Sequence, residues 1–304
     1  MPLYRLSEKT IEPIKEIPFK LEREIQEMVQ ANLDQFFGLQ FVRGEFQVGS
    51  LRIDTLGFDK DAASFVIIEY KKGSNYSVVD QGMSYLGLML NNKAAFILEY
   101  NERCDGKLRK NDVDWSQSKV IFVSPFFTAF QLEAINFKDF PIELWEVRRY
   151  ANNTIRLDQH KPASAAASIK TVSRKSEFVE AISREVKTYT EEAHLKIAQQ
   201  TIAELYARFR ELVLSIYPDL SVRPMKYYVA FRAKRNVTDV TIQKKTLKIF
   251  LNVQKGKLDD PKKLARDVSN IGHFGNGDYQ IQISSDDDLE YIVSLVRQSY
   301  KLNS

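Results

Sequence analysis

The run Phe65-Val66-Ile67-Ile68 is apolar at every position and is closed by Glu69-Tyr70-Lys71. An unbroken apolar stretch of strand length fits a central strand buried on both faces. No other segment narrows the fold so far. The same strand must end in two charged side chains, one of each sign.

Alternate residues of a strand share a face, so Glu69 and Lys71 point one way and Tyr70 the other. On the preceding strand, within Leu51-Arg52-Ile53-Asp54-Thr55-Leu56, the residues Arg52, Asp54 and Leu56 share a face by the same rule. If the two strands pair with these faces aligned, Asp54 and Glu69 form an oxygen cluster suited to Mg²⁺. Lys71 then stands beside it, able to orient a water or offset charge on a phosphate. Two acids at the end of so apolar a strand are costly to bury without a cation. The same residues also fit a solvent-facing ion pair.

Upstream, Leu21, Ile25, Met28, Val29, Leu33, Phe36 and Phe37 recur at helical spacing, which predicts a helix from about Pro18 to Phe37, ended by Gly38. Taking Leu21 as origin, Glu22, Gln26 and Asn32 fall within the apolar arc, whereas Glu24 and Glu27 fall outside it. Glu22 is therefore the helix acid expected to face the sheet, with Glu24 as the alternative. A first-turn acid is also favoured by the helix dipole alone. Downstream, Gln81 and Tyr85 lie one turn apart on a further helix, about Ser77 to Asn91.

The remaining pattern predicts strands at Phe41 to Val48, Leu51 to Phe58, Phe65 to Lys71, Ala94 to Glu99, Val120 to Ser124 and through Ile142 to Leu157, with a helix after Pro125. His160-Lys161-Pro162-Ala163-Ser164-Ala165-Ala166-Ala167-Ser168 has no aromatic anchor and reads as a linker. Beyond it, a long helical stretch from about Ser176 to Ile216 is followed by strands at Lys226 to Arg232, Val237 to Ile242 and Leu247 to Val253. A helix starting near Pro261, a strand at Tyr279 to Ser284 and a final helix after Ser285-Asp286-Asp287-Asp288 complete the chain.

At 304 residues, 44% hydrophobic and 28% charged, the chain is long enough for two cores. Its single cysteine, Cys104, excludes a disulfide framework and a multi-cysteine zinc site. Three scattered histidines argue against a His-rich metal site or a Ser-His-Asp triad, so any metal should be hard and oxygen-ligated. No apolar run approaches the roughly 20 residues of a membrane-spanning helix. Met1-Pro2-Leu3-Tyr4-Arg5 resembles neither a signal nor a transit peptide, and a cytoplasmic location is expected. Residues 1–160 hold 20 Lys/Arg against 23 Asp/Glu and residues 161–304 hold 24 against 17, which would put catalytic acids first and phosphate affinity second, although a basic balance of this size equally fits a solubility feature. In the second part, Arg223, Lys226, Arg232, Lys234, Arg235, Lys244, Lys245 and Lys248 alternate with Tyr227, Tyr228 and Phe231, a pattern that suits a phosphate backbone or a half-solvated sheet. His273 sits in a Gly-rich turn and reads as turn-stabilising.

The segment from Leu21 to Leu90 resembles the PD-(D/E)XK nuclease superfamily, and within it the Holliday junction resolvases and the catalytic domain of NucS-like endonucleases. The stretches that carry this are Glu22-Arg23-Glu24-Ile25 with Asn32, Gly49-Ser50-Leu51-Arg52-Ile53-Asp54-Thr55-Leu56-Gly57, Ile67-Ile68-Glu69-Tyr70-Lys71 and Val79-Asp80-Gln81-Gly82-Met83-Ser84-Tyr85-Leu86. Ile53 departs from the motif's proline. The resemblance implies metal ligation by Asp54, Glu69 and the Tyr70 carbonyl, water or metal organisation by Glu22, charge stabilisation by Lys71 and an accessory role for Gln81. From about Ala203 to Leu302 the chain is similar to a bacterial domain of unknown function sometimes labelled a predicted transport protein.

The expected architecture is α/β: a restriction-endonuclease-like (αβββαβ) mixed-sheet domain at 1–160, a linker and connecting helix at 161–202, and a smaller basic α+β domain at 203–304. The expected activity is Mg²⁺-dependent phosphodiester hydrolysis, with Mn²⁺ as substitute. The expected partner is nucleic acid, DNA ahead of RNA, without a membrane, and a homodimer is the assembly to test. The competing readings are an inactive nucleic-acid-binding module of the same fold, and a protein-interaction component of a defence or regulatory system that uses the helix from Ser176.

Overall fold

A computed structural model describes residues 2–49, 51–73, 77–137, 140–163, 166–168 and 177–304. The chain divides into two compact units, Met1–Thr188 and Tyr189–Ser304.

The first unit begins with a hairpin of β1 (Leu3–Ser7) and β2 (Thr10–Ile14) that the sequence pattern did not suggest. Helices α1 (Glu22–Ala31) and α2 (Leu33–Phe37) follow, interrupted at Asn32 where a single helix was expected. A six-stranded mixed sheet has the order β3-β4-β5-β6-β7-β8. Its strands are β3 (Gln40–Val48), β4 (Leu51–Asp59), β5 (Ser64–Tyr70), β6 (Lys119–Ser124), β7 (Ile142–Arg149) and β8 (Ile155–His160). The first three form an antiparallel meander, and β6 and β7 continue parallel to β5.

Every residue of β5 is buried, as the apolar run requires. Phe65 and Ile67 belong to one core, with α3 (Val78–Asn91) and α4 (Lys93–Arg103), while Val66, Ile68 and Tyr70 belong to the other, with α1 and α2. The expected strand at Ala94 to Glu99 is this helix α4. Phe96 and Tyr100, one turn apart, are buried against Phe65 at ring distances of 5.7 and 6.2 Å, whereas Ala94, Ala95 and Leu98 are exposed. An apolar run with that spacing satisfies one helical face, and tertiary packing decides the state. The helix after Pro125 is α5 (Ala129–Ala134).

The first unit extends beyond the expected boundary at 160. Helix α6 (Glu177–Glu185) places Ile182, together with Val186, in the core that holds Phe65, and Lys187 N donates to Ser116 O at 2.9 Å. Ile182→Val is therefore expected to destabilise the first unit by about 1 kcal/mol, read as a lower denaturant midpoint. The linker segment lies in part outside the described residues. With the boundary at 188, the first unit holds 26 basic and 26 acidic residues and the second 18 and 14. The acidic balance expected for the first part thus disappears, and the second keeps a smaller excess of +4.

The continuous helix expected from about Ser176, itself outside the described residues, to Ile216 is instead α6 in the first unit and, in the second, α7 (Glu191–Leu195) and α8 (Gln200–Ile216). Thr190 Oγ1 caps α7 by accepting from Ala193 N at 3.2 Å, so a new helix starts there. An antiparallel sheet follows in the order β13-β14-β12-β11-β10-β9, from β9 (Ser221–Pro224), β10 (Val229–Arg232), β11 (Asn236–Ile242), β12 (Leu247–Leu251), β13 (Arg266–Asp267) and β14 (Tyr279–Ile283). Helix α9 (Leu289–Asn303) shares its core with α8. No helix starts at Pro261: Lys263 adopts φ +56°, and Asp260 Oδ2 accepts from Ala265 N at 2.7 Å, which closes a turn instead. Among the described residues no helix is long and apolar enough to cross a membrane.

Candidate functional site

The β4–β5 ladder ends at the pair Thr55 and Ile68, so the next two residues in register, Asp54 and Glu69, oppose one another where the strands part. Opposed residues present their side chains to the same face. The Tyr70 main-chain N–H, no longer paired in that ladder, donates to Asp54 Oδ2 at 3.1 Å. On its other edge β5 stays tied to β6, where Lys71 N donates to Val123 O at 3.0 Å. The two carboxylates thus sit at the fork where a central strand is open on one edge only.

Glu69 is 3% exposed. Its Oε1 accepts from Lys71 Nζ at 2.8 Å and from Gln81 Nε2 at 2.7 Å. Its Oε2 is buried with no hydrogen-bond partner among the described residues. A carboxylate oxygen in that position is expensive unless a cation or water completes it. Asp54 carries the same strain in another form. Burial, and then the charge of Glu69, push its carboxyl up from an ordinary 3.8 to about 7, against the lowering effects of the Tyr70 N–H and Lys71.

Helix α3 delivers Gln81. Ser77 Oγ caps it by accepting from Asp80 N at 3.2 Å. At Gly82 an added Cβ would lie 2.4 Å from the Ile142 side chain, so the absence of a side chain lets the helix approach the sheet beside Glu69. Gln81 Nε2 also donates to Tyr85 Oη at 3.2 Å, and Tyr85 Oη donates to Arg52 O at 3.2 Å. Burial and the charge of Glu69 raise the Tyr85 phenol, which stays a neutral donor.

Two residues without an assigned role enter from α1. Gln26 and Gln30, one turn apart, donate to Asp54 O at 3.3 and 3.2 Å, and Gln30 also reaches Thr55 Oγ1 at 2.7 Å. They hold the β4 backbone where Asp54 leaves the ladder. The sequence placed Gln26 inside the apolar arc, and its i,i+4 partner was the available signal for Gln30.

Glu22 is exposed and does not face the core as expected. The arc was measured from Leu21, which is an extended N-cap residue (φ −133°, ψ 151°) and itself exposed; the helix buries Ile25 and Val29. Glu22 Oε1 nevertheless accepts from Lys72 N at 3.0 Å, one residue past Lys71. Glu24, the alternative, bonds Arg149 at 3.2 Å. The structure thus joins Asp54, Glu69, Lys71 and Gln81, sets the Tyr70 main chain between Glu69 and Lys71, and leaves Glu22 at the rim.

Among the described residues no group of three or more His, Cys, Asp or Glu side chains lies together as a metal site. The donor set that the side chains supply at the fork is two carboxylates, one with an unpartnered oxygen. That set suits a hard cation that keeps part of its water shell, as Mg²⁺ does, and suits neither zinc nor a soft metal.

The architecture and this fork define a mixed α/β protein with a paired-carboxylate site at the end of a central strand. The chain belongs to the family of a Haemophilus influenzae protein (strain ATCC 51907 / DSM 11121 / KW20 / Rd) described as "Uncharacterized protein", to which it is 49% identical over 301 residues, 99% of this chain and all of that one. Residues 191–303 match a domain of unknown function, DUF5655. The chain is also similar, at a TM-score of 0.27 and 19% identity, to the crystal structure of a repair endonuclease from Pyrococcus abyssi, over 40% of this chain and 45% of that one.

Proposed function

We propose that the first unit is a restriction-endonuclease-like domain that hydrolyses nucleic-acid phosphodiesters, DNA in the first instance, with Mg²⁺ held by Asp54, Glu69 and the Tyr70 carbonyl. The observation that carries this reading is Glu69, buried to 3% with one oxygen unpartnered and facing an Asp54 whose carboxyl is pushed up to about 7. Neither arrangement favours stability in isolation, and a bound cation relieves both. When bound, the metal supplies Lewis-acid polarisation of the scissile phosphate and a more acidic water.

The chain's own residues do the rest. Lys71, within 2.8 Å of Glu69, carries a positive charge to the place where charge develops on the phosphate. Gln81 fixes the Glu69 carboxylate in orientation without adding charge, and Tyr85 fixes Gln81. Gln26 and Gln30 hold the Asp54 main chain from the opposite side. Glu22, bonded to Lys72 N, braces the chain that follows Lys71.

Cleavage of labelled single-stranded, duplex and branched DNA, with Mg²⁺ or with chelator, tests the reading and identifies the substrate shape. Binding without cutting would favour an inactive module of the same fold. Gln81→Leu removes only the orienting donor, so about a 10- to 100-fold loss of cleavage is expected, with Mn²⁺ binding weakened by a similar factor in an electron paramagnetic resonance titration. Unchanged values for both would take Gln81 out of the site.

A further inference from the structure

The loop 271–277 of the second unit is held from below with unusual thoroughness. Asp239 on β11 is 1% exposed, and its Oδ2 accepts from Asn276 N at 2.7 Å and from Asn276 Nδ2 at 2.9 Å. Its Oδ1 accepts from Asn236 Nδ2 at 3.0 Å. Asn276 Nδ2 also donates to Tyr228 Oη at 3.2 Å, so one buried carboxylate links the loop to the turn that precedes β10. His273 contacts Ile271 O at 2.7 Å and Gly277 O at 3.0 Å through its two ring nitrogens, and its ring lies flat on Phe250 at 5.1 Å. Gly277, at φ +85°, sits so close to β12 that an added Cβ would lie 2.0 Å from Leu251 O. The histidine is thus turn-stabilising, as the sequence suggested.

Each inward anchor has an outward neighbour. Tyr228 is buried while Tyr227 is 42% exposed, and Asn276 points inward while Phe274 is 62% exposed. The two exposed rings, from separate loops, stack at 3.9 Å between centroids and 21° between planes. Lys226 Nζ lies 5.0 Å from the Tyr227 ring centroid. Stacked rings on mobile loops would collapse onto apolar surface; here the buried network fixes both loops with the rings in water.

We propose that Tyr227 and Phe274 form a stacking platform for an unpaired nucleic-acid base, which would lie on the exposed ring of Phe274, with Lys226, over the Tyr227 ring, close by to meet the phosphate. A flat aromatic pair accepts any base on its open face, and a neighbouring cation selects a polyanion over an apolar peptide. The +4 balance of this unit favours the same ligand. The site is separate from the carboxylate fork and does not depend on the reading given to it. It also sorts the residues singled out in the sequence: Tyr228, Phe231 and Arg232 are buried, whereas Tyr227 is the ring left for binding.

The test is fluorescence anisotropy of labelled single-stranded oligothymidylate with the whole 304-residue chain in chelator, where no metal-dependent cleavage intervenes. Phe274→Leu keeps apolar bulk but loses the aromatic face, and about a 5- to 100-fold loss of affinity is expected. Phe274→Tyr keeps the face and should bind within about twofold of wild type. Lys226→Ala should reduce the salt dependence by roughly one phosphate contact. Melting temperatures of the variants check that the loop remains folded. Wild-type affinity in Phe274→Leu, equal losses in Phe274→Leu and Phe274→Tyr, or no preference of the wild type for oligothymidylate over an abasic oligomer of the same charge would each overturn the proposal. Absence of any oligonucleotide binding would also overturn it and turn attention to a protein partner. None of these results depends on whether Glu69 supports cleavage.

Discussion

Glu69→Ala is expected to lower metal-dependent cleavage by roughly 10³-fold or more while leaving the protein folded. Glu69 contacts both Lys71 and Gln81, and it faces Asp54 across the open fork. Its removal takes away half of the negative charge available to a cation and removes the carboxylate that Lys71 contacts at 2.8 Å. The fold survives because the apolar part of β5 lies earlier, at Phe65 to Ile68, and each of those residues is packed in one of the two cores of the first unit. Glu69→Gln separates charge from packing: it keeps the volume and an oxygen acceptor, and should be as inactive as Glu69→Ala. Circular dichroism and melting curves for both variants, measured beside the cleavage rates, distinguish lost chemistry from lost structure.

Asp54→Asn is expected to do two opposite things, ending turnover and making the metal-free protein more stable. The Asp54 carboxyl is pushed up to about 7 by burial and by Glu69, whereas it titrates near 3.8 when the chain is unfolded. Between those values the folded state holds a proton that the unfolded state has lost, so stability falls as pH rises through this window. At about 1.4 kcal/mol per pH unit the full cost is on the order of 4 kcal/mol, and partial exposure of the fork reduces the expected gain to about 1–3 kcal/mol. Asparagine keeps an oxygen to accept the Tyr70 N–H and carries no charge to bury. The stabilisation should be largest above pH 7 and vanish below pH 4, read from denaturant unfolding in chelator. Mg²⁺ should then raise the melting temperature of wild type and leave Asp54→Asn unchanged. A destabilised Asp54→Asn at pH 8 would mean that the carboxylate is a structural partner and not a strained one.

The spacing of Asp54, Glu69, Lys71 and Gln81 was legible because strand alternation and one helical turn are periodic properties that a sequence displays. Their convergence was not, since it depends on the register that ends the β4–β5 ladder at Thr55 and Ile68, and on Gly82 admitting α3 to the sheet. The fully buried run from Phe65 to Ile68 announced its strand in advance. Ala94 to Glu99 has a strand-like apolar density yet is helical, because contacts made in the fold, such as those with Phe65, bring Phe96 and Tyr100 to one face. Glu22 lies outward because Leu21, the apolar residue beside it, belongs to the cap and not to the helix. The break at Thr190 and the turn at Asp260 both rest on side chains that capture main-chain N–H groups, which local propensity does not resolve.

The most direct measurement is cleavage of a labelled DNA panel by wild type and Glu69→Ala, with Mg²⁺ and with chelator. Metal-dependent cutting by wild type that falls at least about 10³-fold in a folded Glu69→Ala is the predicted result. Cutting that persists at the wild-type rate in Glu69→Ala, or that continues in chelator, would contradict a metal-dependent site at Asp54 and Glu69.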